Sequence, residues 1–521
     1  MTPVRDGARV LINPGSPWPP PGHSRMRARW QSWLAWWGGD PAELKQHTPA
    51  SAPGGYWHRR ALKPGQSEIH VPLAADICRT SAELVAGDTP AIVWDDDDTT
   101  VQAACDDLLQ QVGFANTLLE GVETGAAMGD WYLRPTWDLA VSDLPTLTVA
   151  AADEVLPTFR FGRLRDCVFV TVLDAPSGWN ARGKGEVWRW LEHHEPNQIR
   201  HELWLGTETS VGTLLPLTDH PTTADLDGVI DTKEIRPGGI LAERIPNDLP
   251  NPLARPLPLG RSDLQGIETL LDQLDAAWDS WMRDLDLGKM RIMLSREMLQ
   301  PVATSGKWGR GSSAPAKGFD IDDAAFVPLE MPMEDGGKVT PITPIEFKLR
   351  VQEHADTVFA LVETIVQRAG YAPQTFGMNV DGQLSGTAMR RREQRSYRTR
   401  DRKRRYARAA IERAVETLML INSLPPFNGP KPTQRPTLEW RETDQSDPLE
   451  TAQTIELLRR AKALSTEYAV RMTHPDWDDD QITAEVKAIE KEEQASLAPS
   501  PFGDGTDPVV PRNPAPVDGE E

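Results

Sequence analysis

The sequence has few cysteines and no long apolar run. Its three cysteines, Cys78, Cys105 and Cys167, lie far apart among 521 residues, and none is in a CxxC spacing. This argues against both a zinc site and a disulfide framework and favours a reducing compartment. The amino terminus lacks the apolar core of a signal peptide, and there is no run of about 18 apolar residues that could span a bilayer. We therefore expect a soluble cytoplasmic protein without membrane contact.

Basic residues are also fewer than acidic ones. The chain has 56 Lys and Arg against 77 Asp and Glu, a net charge of −21, and its isoelectric point is near 5.0. A protein that coats DNA with its whole surface needs an excess of Lys and Arg, because cations bind the phosphates. Any contact with nucleic acid is therefore expected to be either local or weak by design. The length favours about two to four domains.

Complete catalytic and metal-binding motifs are missing as well. The stretch Gly178 to Gly185 has the glycine and lysine spacing of a phosphate-binding loop. A glycine stands where the Mg²⁺-binding Ser or Thr is required, however, and the stretch joins two predicted strands. The acidic run Asp95 to Asp98 lacks the glycine and the distal Glu of a calcium loop. A cluster of histidines without the i, i+4 spacing of a helical zinc site comprises Glu192, His193, His194 and His201. We predict no enzyme activity, no cofactor and no metal.

Two long helices are predicted in the second half of the chain. The first, over 261–294, has an apolar seam with the three-four alternation of helices that pack on other helices. The seam residues are Leu264, Ile267, Leu271, Leu274, Trp278, Trp281 and Leu285. Ser262 and Gln265 have the spacing of a capping box. The second helix, over 343–370, is predicted to begin with Thr343 as N-cap and to end before Gly370.

The remaining patterns predict an α+β fold. Tryptophans at Trp30, Trp33 and Trp37 form one face of a helix, and helices are also expected over 72–84 and 99–129. Between 131 and 244 the period changes to that of short strands separated by turn residues, which indicates an antiparallel layer. Near the carboxyl end, the sequence at Asp447 predicts a new helix start, and a second short helix is expected over about 478–494.

A densely basic helix follows the two long ones. Between Arg390 and Arg408 there are eleven basic residues and two acidic ones, a local charge of +9 that leaves −30 on the rest of the chain. One interpretation is that this helix grips phosphates. The other, which we favour, is that its cations pair with acidic surfaces of neighbouring domains or subunits. The arginines concerned include Arg390, Arg391, Arg392, Arg395, Arg398, Arg402, Arg404 and Arg405.

The order of these elements resembles a known family. The chain has a helix with the sequence RSDLQGIETLLDQLDAAWDSWMRDL, an irregular excursion, a second helix, and then the stretch AGYAPQTFGMNVDGQLSGTAMRRREQRSYRT. This order resembles that of the portal proteins of tailed double-stranded DNA bacteriophages. It resembles in particular the portal proteins of long-tailed siphophages, for which an actinobacterial host is expected. The resemblance spans roughly residues 73–494.

The resemblance implies a portal architecture with an α/β wing, a two-helix stem, a clip, a tunnel loop and a helical crown. The implied segments are a flexible arm (1–24), the wing (25–260, β-rich over 131–244), the first stem helix (261–294), the clip (295–342), the second stem helix (343–370), the tunnel loop (371–385), the basic wing helix (386–424), a connector (425–446), the crown (447–495) and a disordered acidic tail (496–521). Gly377 and Gly382 would give the tunnel loop freedom to move.

The family's function is likewise implied. The chain would form a ring of identical subunits, typically a dodecamer, at one capsid vertex of the virion, where double-stranded DNA passes during packaging and ejection. Further implied partners are the major capsid protein, the terminase packaging motor and a head–tail adaptor, with assembly in the host cytoplasm. The resemblance points to Lys307, Trp308 and Arg310 for clip docking and to Gln374, Met378, Asn379, Asp381 and Gln383 for the channel.

Two other functions stay open at this point. A non-catalytic DNA-binding or scaffolding protein would use the basic helix and would bind DNA tightly, with a steep dependence on salt. A nucleotide-hydrolysing packaging enzyme would need a complete phosphate loop and a carboxylate for Mg²⁺. The glycine at position 185 counts heavily against that enzyme.

Overall fold

The computed structural model of the chain describes residues 12–47, 55–59, 69–94, 99–179, 185–255, 257–287, 291–295, 326–329, 343–345, 350–378, 386–440, 448–474, 477 and 479–497. The chain divides into two compact units, 1–442 and 443–521. Within the described ranges, no helix is long and apolar enough to cross a membrane.

The first unit begins with a helical layer. Its helices are α1 (Ser24–Gly38), α2 (Pro41–His47), α3 (Tyr56–Arg59), α4 (Leu73–Ala86), α5 (Thr99–Gln111) and α6 (Phe114–Met128). The tryptophan-rich helix is confirmed, and α1 buries Trp30, Trp33 and Trp36 against the core. The helical stretch expected over 99–129 is two helices rather than one, because the chain turns between Gln111 and Phe114.

Antiparallel strands form the next layer, as the change in period predicts. They are β1 (Ala91–Val93), β2 (Asp130–Thr136), β3 (Thr146–Ala151), β4 (Val155–Arg160), β5 (Arg163–Leu173), β6 (Glu186–Glu195), β7 (Gln198–Thr207), β8 (Ser210–Leu215), β9 (Val229–Asp231) and β10 (Glu243–Pro246). One sheet has the order β4-β5-β6-β7-β8, with β9 beside β7, and a smaller sheet has the order β10-β2-β3. The mixed α+β class is confirmed.

The histidine-rich stretch of the sequence is part of this strand layer. Arg134 of β2 donates to Glu192 of β6 at 2.9 Å, and the Glu192 carboxylate also bonds His194 at 2.5 Å. Burial opposes the charge on Glu192, but the His194 hydrogen bond and the nearby positive charges prevail and lower its pKa to about 2. These contacts tie the two sheets together.

Residues 12–23 differ from the expected flexible arm. Gly15 donates to Gly212, Trp18 donates to Thr209, and Val211 donates back to Ser16, each with a backbone bond of 2.8–3.0 Å. The Trp18 ring also lies 4.8 Å from the Arg189 guanidinium. The segment is therefore held along the β7–β8 hairpin, because backbone pairing and an aromatic anchor compensate for its lack of helix or strand propensity.

The rest of the first unit contains the two long helices and the basic helix. Its elements are α7 (Glu268–Leu287), β11 (Arg291–Ser295), β12 (Phe326–Leu329), β13 (Thr343–Ile345), α8 (Val351–Ala369), a 3₁₀ turn (Pro373–Phe376), α9 (Gly386–Asn422) and β14 (Thr437–Glu439). Strand β11 pairs parallel to β12 and antiparallel to β13, and β14 pairs with β1. The α9 boundaries agree closely with the predicted basic helix.

The first long helix begins later than the capping pattern predicts. The Ser262 hydroxyl accepts from the Leu264 amide at 3.0 Å and donates to the Ala127 carbonyl at 2.6 Å, so it does not cap a helix. Gly266 then has a φ of +89°, which a helix interior excludes, and α7 starts at Glu268. The helix also ends before the predicted residue 294, because the chain is in strand conformation from Arg291.

The second long helix also starts later than predicted. Thr343, expected as its N-cap, begins the short strand β13, which pairs with β11. Helix α8 begins only at Val351. Its predicted end is correct: Gly370 adopts a φ of +104° and its amide donates to the Gln367 carbonyl, a left-handed helix terminus that favours glycine.

The second unit is helical. It contains α10 (Pro448–Arg460), α11 (Thr466–Thr473) and α12 (Asp479–Leu497). Helices α10 and α12 agree with the predicted ones. Helix α11 was not predicted, although Ser465 caps it by accepting from the Tyr468 amide at 3.2 Å.

The apolar seam is largely buried inside a single chain. Leu264, Ile267, Leu271 and Leu274 are fully buried in a core shared with α1, α4 and the end of α8. Trp278 and Trp281 are partly buried, and Leu285 is exposed. The amino-terminal part of the seam therefore does not need a neighbouring copy to cover it.

We expect Leu274→Asp to destabilise the first unit by more than about 4 kcal/mol, because a carboxylate would replace a fully buried apolar side chain. Thermal unfolding of the purified chain and its soluble yield measure the effect. Leu253→Asp, at a partly exposed turn position, is the matched control and should leave the unfolding temperature nearly unchanged. Equal stability of both variants would show that Leu274 does not belong to the core.

Candidate functional site

The predicted tunnel loop starts from an ordered base between α8 and α9. Gln374 and Met378 are half-buried in this base. Asn379, Asp381 and Gln383 lie outside the described residues, as do the predicted clip residues Lys307, Trp308 and Arg310. The structure therefore describes the base of the loop, the short strand β12 inside the predicted clip, and the strands β11 and β13 at the two ends of the predicted clip.

Hydroxyl groups of α9 fasten the base of the loop. The Ser396 side chain accepts from the Ala372 amide at 2.9 Å and shares a 2.8 Å hydrogen bond with the Thr375 hydroxyl. One turn further on, the Thr399 hydroxyl donates to the Gly370 carbonyl at 2.7 Å. A side chain at Gly370 would lie 3.3 Å from the Thr399 oxygen, so glycine also allows this close approach. The end of α8 is thereby fixed to the start of the basic helix.

A buried ion pair lies directly beneath this base. The Lys403 ammonium of α9 donates to the Asp263 carboxylate at 2.5 Å, to the Ser81 hydroxyl of α4 at 2.7 Å and to the Tyr371 hydroxyl at 3.0 Å. Asp263 also accepts from the Tyr371 hydroxyl at 2.7 Å and from the Asn247 amide group at 2.8 Å. We refer to these five residues as the Lys403 cluster.

The Lys403 cluster is closed to water and fully paired. Lys403 is only 4% exposed, and all three of its N–H donors have an acceptor. Burial and the Asp263 charge raise the pKa of Tyr371 well above its ordinary value, so its hydroxyl stays a donor. A buried pair of this kind is costly to break, because the remaining partner keeps an uncompensated charge in the core.

Other cations of α9 also bind protein groups. Arg404 is buried and donates to the carbonyls of Leu84 and Val85 in the last turn of α4, where the helix dipole favours a cation. Its guanidinium lies 4.6 Å from the Trp440 ring centre. Arg402 pairs with Asp248 at 3.3 Å. These contacts support the interpretation in which the arginines pair within the protein.

A different set of α9 arginines faces solvent. Arg392, Arg395, Arg398, Arg405 and Arg408 are exposed, and none forms an ion pair with a carboxylate in the part of the chain that the structure describes. The side chains of Arg390 and Arg391 lie outside the described residues. Arg395, Arg398 and Arg405 lie three and seven residues apart, so they share one helix face. We call these three residues the arginine stripe.

Sequence reasoning missed the acidic residues that fix α7. The fully buried Asp275 carboxylate accepts from the Trp57 indole at 3.0 Å and the Val71 amide at 2.8 Å, and it bonds His70 at 2.9 Å. Asp272 accepts from the Tyr56 amide at 2.8 Å. The available signal was their position directly after the seam residues Leu271 and Leu274, where a carboxylate at the border of the buried face requires hydrogen-bond donors.

We expect Lys403→Met to lower the free energy of unfolding by about 3–5 kcal/mol, since it leaves the Asp263 charge buried without its cation. Arg405→Met removes the same charge from an exposed position and should change stability by no more than about 0.5 kcal/mol. Urea unfolding measures both, and amide exchange at 371–378 should accelerate only in Lys403→Met.

A double variant separates charge from packing in this cluster. Lys403→Met combined with Asp263→Asn removes both charges and should recover part of the stability lost in Lys403→Met alone. If the two single variants of Lys403 and Arg405 unfold alike, the Lys403 cluster does not hold the base of the loop.

Comparison with known proteins identifies the family. The family model described as "Phage portal protein, SPP1 Gp6-like" matches residues 56–497. No curated protein sequence matches the chain significantly. Similar solved structures include the virion of a native gene transfer agent particle, with 15% identity over 88% of this chain and 96% of the other and a TM-score of 0.40. A neck of the native particle computed with C12 symmetry has 14% identity, the same two coverages and a TM-score of 0.42. The family match extends over most of the sequence, and the chain therefore belongs to the SPP1 Gp6-like family of phage portal proteins.

Proposed function

We propose that identical copies of this chain form a closed ring around a DNA channel at one capsid vertex, as the connector between head and tail. Membership of the portal family supports this function. The observation that carries it in the structure is the arrangement of two long helices, α7 and α8, followed by the base of the predicted tunnel loop. This base is fastened to the basic helix by the Ser396 and Thr399 hydroxyls and by the Lys403 cluster.

The long helices have apolar side chains that stay exposed in the part of the chain that the structure describes. Phe359 on α8 is 62% exposed, and Val351 and Leu285 are also exposed. The helices otherwise pack on each other, with the Trp281 and His354 rings stacked at 6.1 Å and Asp284 bonded to both His354 and Arg350. Neighbouring copies in a ring would cover such residues through contacts that repeat and close.

The charge of the chain suits a conduit for DNA. A polyanion slides most freely along a surface with few sites that bind its phosphates, and the overall charge of −21 disfavours such binding. The arginines that are buried or paired, such as Arg404 and Arg413, are unavailable to phosphates. The exposed arginine stripe would then meet protein in the assembly rather than DNA.

The remaining assignments follow from the same function. The clip, with Lys307, Trp308 and Arg310, would dock the terminase motor and later the head–tail adaptor. The loop residues Gln374, Met378, Asn379, Asp381 and Gln383 would face the DNA. The wing would contact the major capsid protein, and the helices of the second unit would form the crown. Assembly would take place in the host cytoplasm, and ATP hydrolysis would belong to the separate motor, so the purified chain should hydrolyse no ATP.

Ring formation is the direct test. Native mass spectrometry and negative-stain images of the purified chain should show closed rings with a central hole. Phe359→Asp should lower the ring fraction at least about tenfold, because a charge would enter a contact between copies, while the unfolding temperature of the single chain stays unchanged. Leu139→Asp, at a loop position 58% exposed, is the control and should assemble normally. Only monomers or open chains under all assembly conditions would contradict the function.

The exposed arginine stripe favours one second candidate, a DNA-binding or scaffolding role. That role predicts tight binding of duplex DNA. The logarithm of the binding constant should fall linearly with the logarithm of the salt concentration, with a slope of about −0.9 for each phosphate neutralised. The portal function predicts weak binding that changes little in the triple variant Arg395→Gln, Arg398→Gln and Arg405→Gln. Filter binding at several salt concentrations distinguishes the two. Tight binding that the triple variant abolishes would favour the second candidate.

A further inference from the structure

A cleft lined with arginines opens at the edge of the six-stranded sheet. Its volume is about 670 Å³. The arginine cleft lies between the tip of the β4–β5 hairpin, the segment before β10 and the side of α9. The charged residues that line it are Arg160, Arg163, Arg165, Arg236, Arg244, Arg413 and Glu243. Six guanidinium groups therefore surround one carboxylate.

The floor of the cleft already holds a carboxylate between two arginines. Glu243 accepts from Arg236 at 2.7 Å and from both Nε and Nη2 of Arg413 at 2.9 and 2.7 Å. These hydrogen bonds raise the pKa of Arg413 above its ordinary value. Arg244 pairs separately with Asp130. The Glu243 carboxylate on the floor is thus held by several hydrogen bonds. The floor keeps a net positive charge, because the two guanidinium groups of Arg236 and Arg413 share this one carboxylate.

The rim of the cleft carries cations without a carboxylate. Arg160 and Arg163 are exposed, and neither forms an ion pair with any residue that the structure describes. Arg165 lies 3.7 Å from Asp166, at the far limit of an ion pair. The rim therefore adds a positive charge that nothing within the described chain neutralises, on a protein whose overall charge is strongly negative.

An aromatic side chain stands between these rim arginines. Phe161 forms the tip of the β4–β5 hairpin, is 83% exposed and has a φ of +53°. A bulky residue is uncommon in this left-handed region, where Asn, Asp or Gly would form the turn more easily. The Arg160 guanidinium lies 5.3 Å from its ring centre. Arginine and aromatic residues together are the side chains enriched at the centres of protein–protein interfaces.

The size and charge of the cleft indicate which kind of ligand it can bind. A volume of about 670 Å³ is that of a site for a small ligand or for a few side chains of one polypeptide segment, and it cannot enclose a whole DNA duplex. Carboxylates are also the groups that the guanidinium fork binds bidentately. A second copy of this chain is a strongly acidic partner, since each copy carries a net charge of −21.

We propose that the arginine cleft binds an acidic segment of a second copy of this chain, with Phe161 as the apolar anchor beside it. The inference rests on the proposed ring, in which every copy has a neighbour, and it adds a surface and a charge pairing to that ring. The contact is heterologous, with the cleft of one copy facing a different surface of the next, as closure of a ring requires.

The first experiment locates the partner of the hairpin tip. A photo-crosslinking amino acid replaces Phe161 in the full chain, and the irradiated product is separated by denaturing electrophoresis and mapped by mass spectrometry. The proposal expects a covalent dimer whose linked peptide in the second copy contains Asp or Glu. A crosslink confined to the same copy, or a linked peptide without acidic residues, would overturn it.

The second experiment tests the charge of the rim. Arg160→Glu combined with Arg163→Glu should reduce the ring fraction in native mass spectrometry at least about tenfold at 0.15 M salt, because like charges would then face each other. The matched control, Arg25→Glu with Arg29→Glu, changes the net charge equally at exposed positions of α1 and should assemble normally. An unchanged unfolding temperature shows that the rim variant is folded.

The outcomes separate this inference from the proposed function. If the wild-type chain forms rings and the rim variant assembles equally well, the cleft proposal fails and the portal function stands. If the rim variant and the control lose rings alike, the effect is one of net charge and the cleft proposal also fails. If the rim variant keeps its rings but loses binding of duplex DNA, the occupant is a nucleic acid. If the wild-type chain forms no rings at all, the proposed function itself fails.

Discussion

The buried pair of Lys403 and Asp263 is the contact on which the arrangement of the first unit depends. It joins α4, the turn before α7, the end of α8 and the middle of α9, four segments that lie far apart in the sequence. A paired charge in a dry core tolerates little displacement, because each lost hydrogen bond leaves a buried donor or acceptor unsatisfied. Residues 370–375 are therefore held to α9 both by the Lys403 cluster and by the Ser396 and Thr399 hydroxyls.

The basic helix has two sets of cations. The inward ones, Lys403 and Arg404, bind the Asp263 carboxylate and the carbonyls at the end of α4. Its outward cations form the arginine stripe. The division follows from the helical period, since positions 396, 399 and 403 lie on the packed face and positions 395, 398 and 405 on the other. The contacts within the chain support the pairing interpretation for the inward cations, whereas the partners of the outward cations stay a prediction.

Helix α7 shows a similar division between apolar and acidic groups. Leu271 and Leu274 provide the buried area, while Asp272 and Asp275 accept hydrogen bonds from segments that have little regular structure of their own. These bonds fasten residues 55–57 and 69–71 to the helix. The exposed residues Leu285, Val351 and Phe359 lie further along the helix pair. In the proposed ring, one part of the stem would thus be anchored within the subunit and the other would contact neighbours.

The sequence alone determined the elements with strong local patterns. Among these are α1, the antiparallel layer, the end of α8 at Gly370 and nearly the whole of α9, because side-chain period and glycine preference act over a few residues. Family membership was also accessible, since the order of motifs extends over most of the chain. The starts of α7 and α8 were wrong, because Ser262 bonds the Ala127 carbonyl and Thr343 pairs within a strand.

Only the tertiary structure decided which polar residues meet. Lys403 and Asp263 are 140 positions apart, and Asp275 and Val71 are 204 apart, so no local pattern relates them. The arginine cleft likewise combines a hairpin tip, the approach to β10 and one residue of α9. Hydrophobic periodicity fixes which face of an element is buried, but the pairing of charges depends on how those elements cross, and that is set by packing over the whole unit.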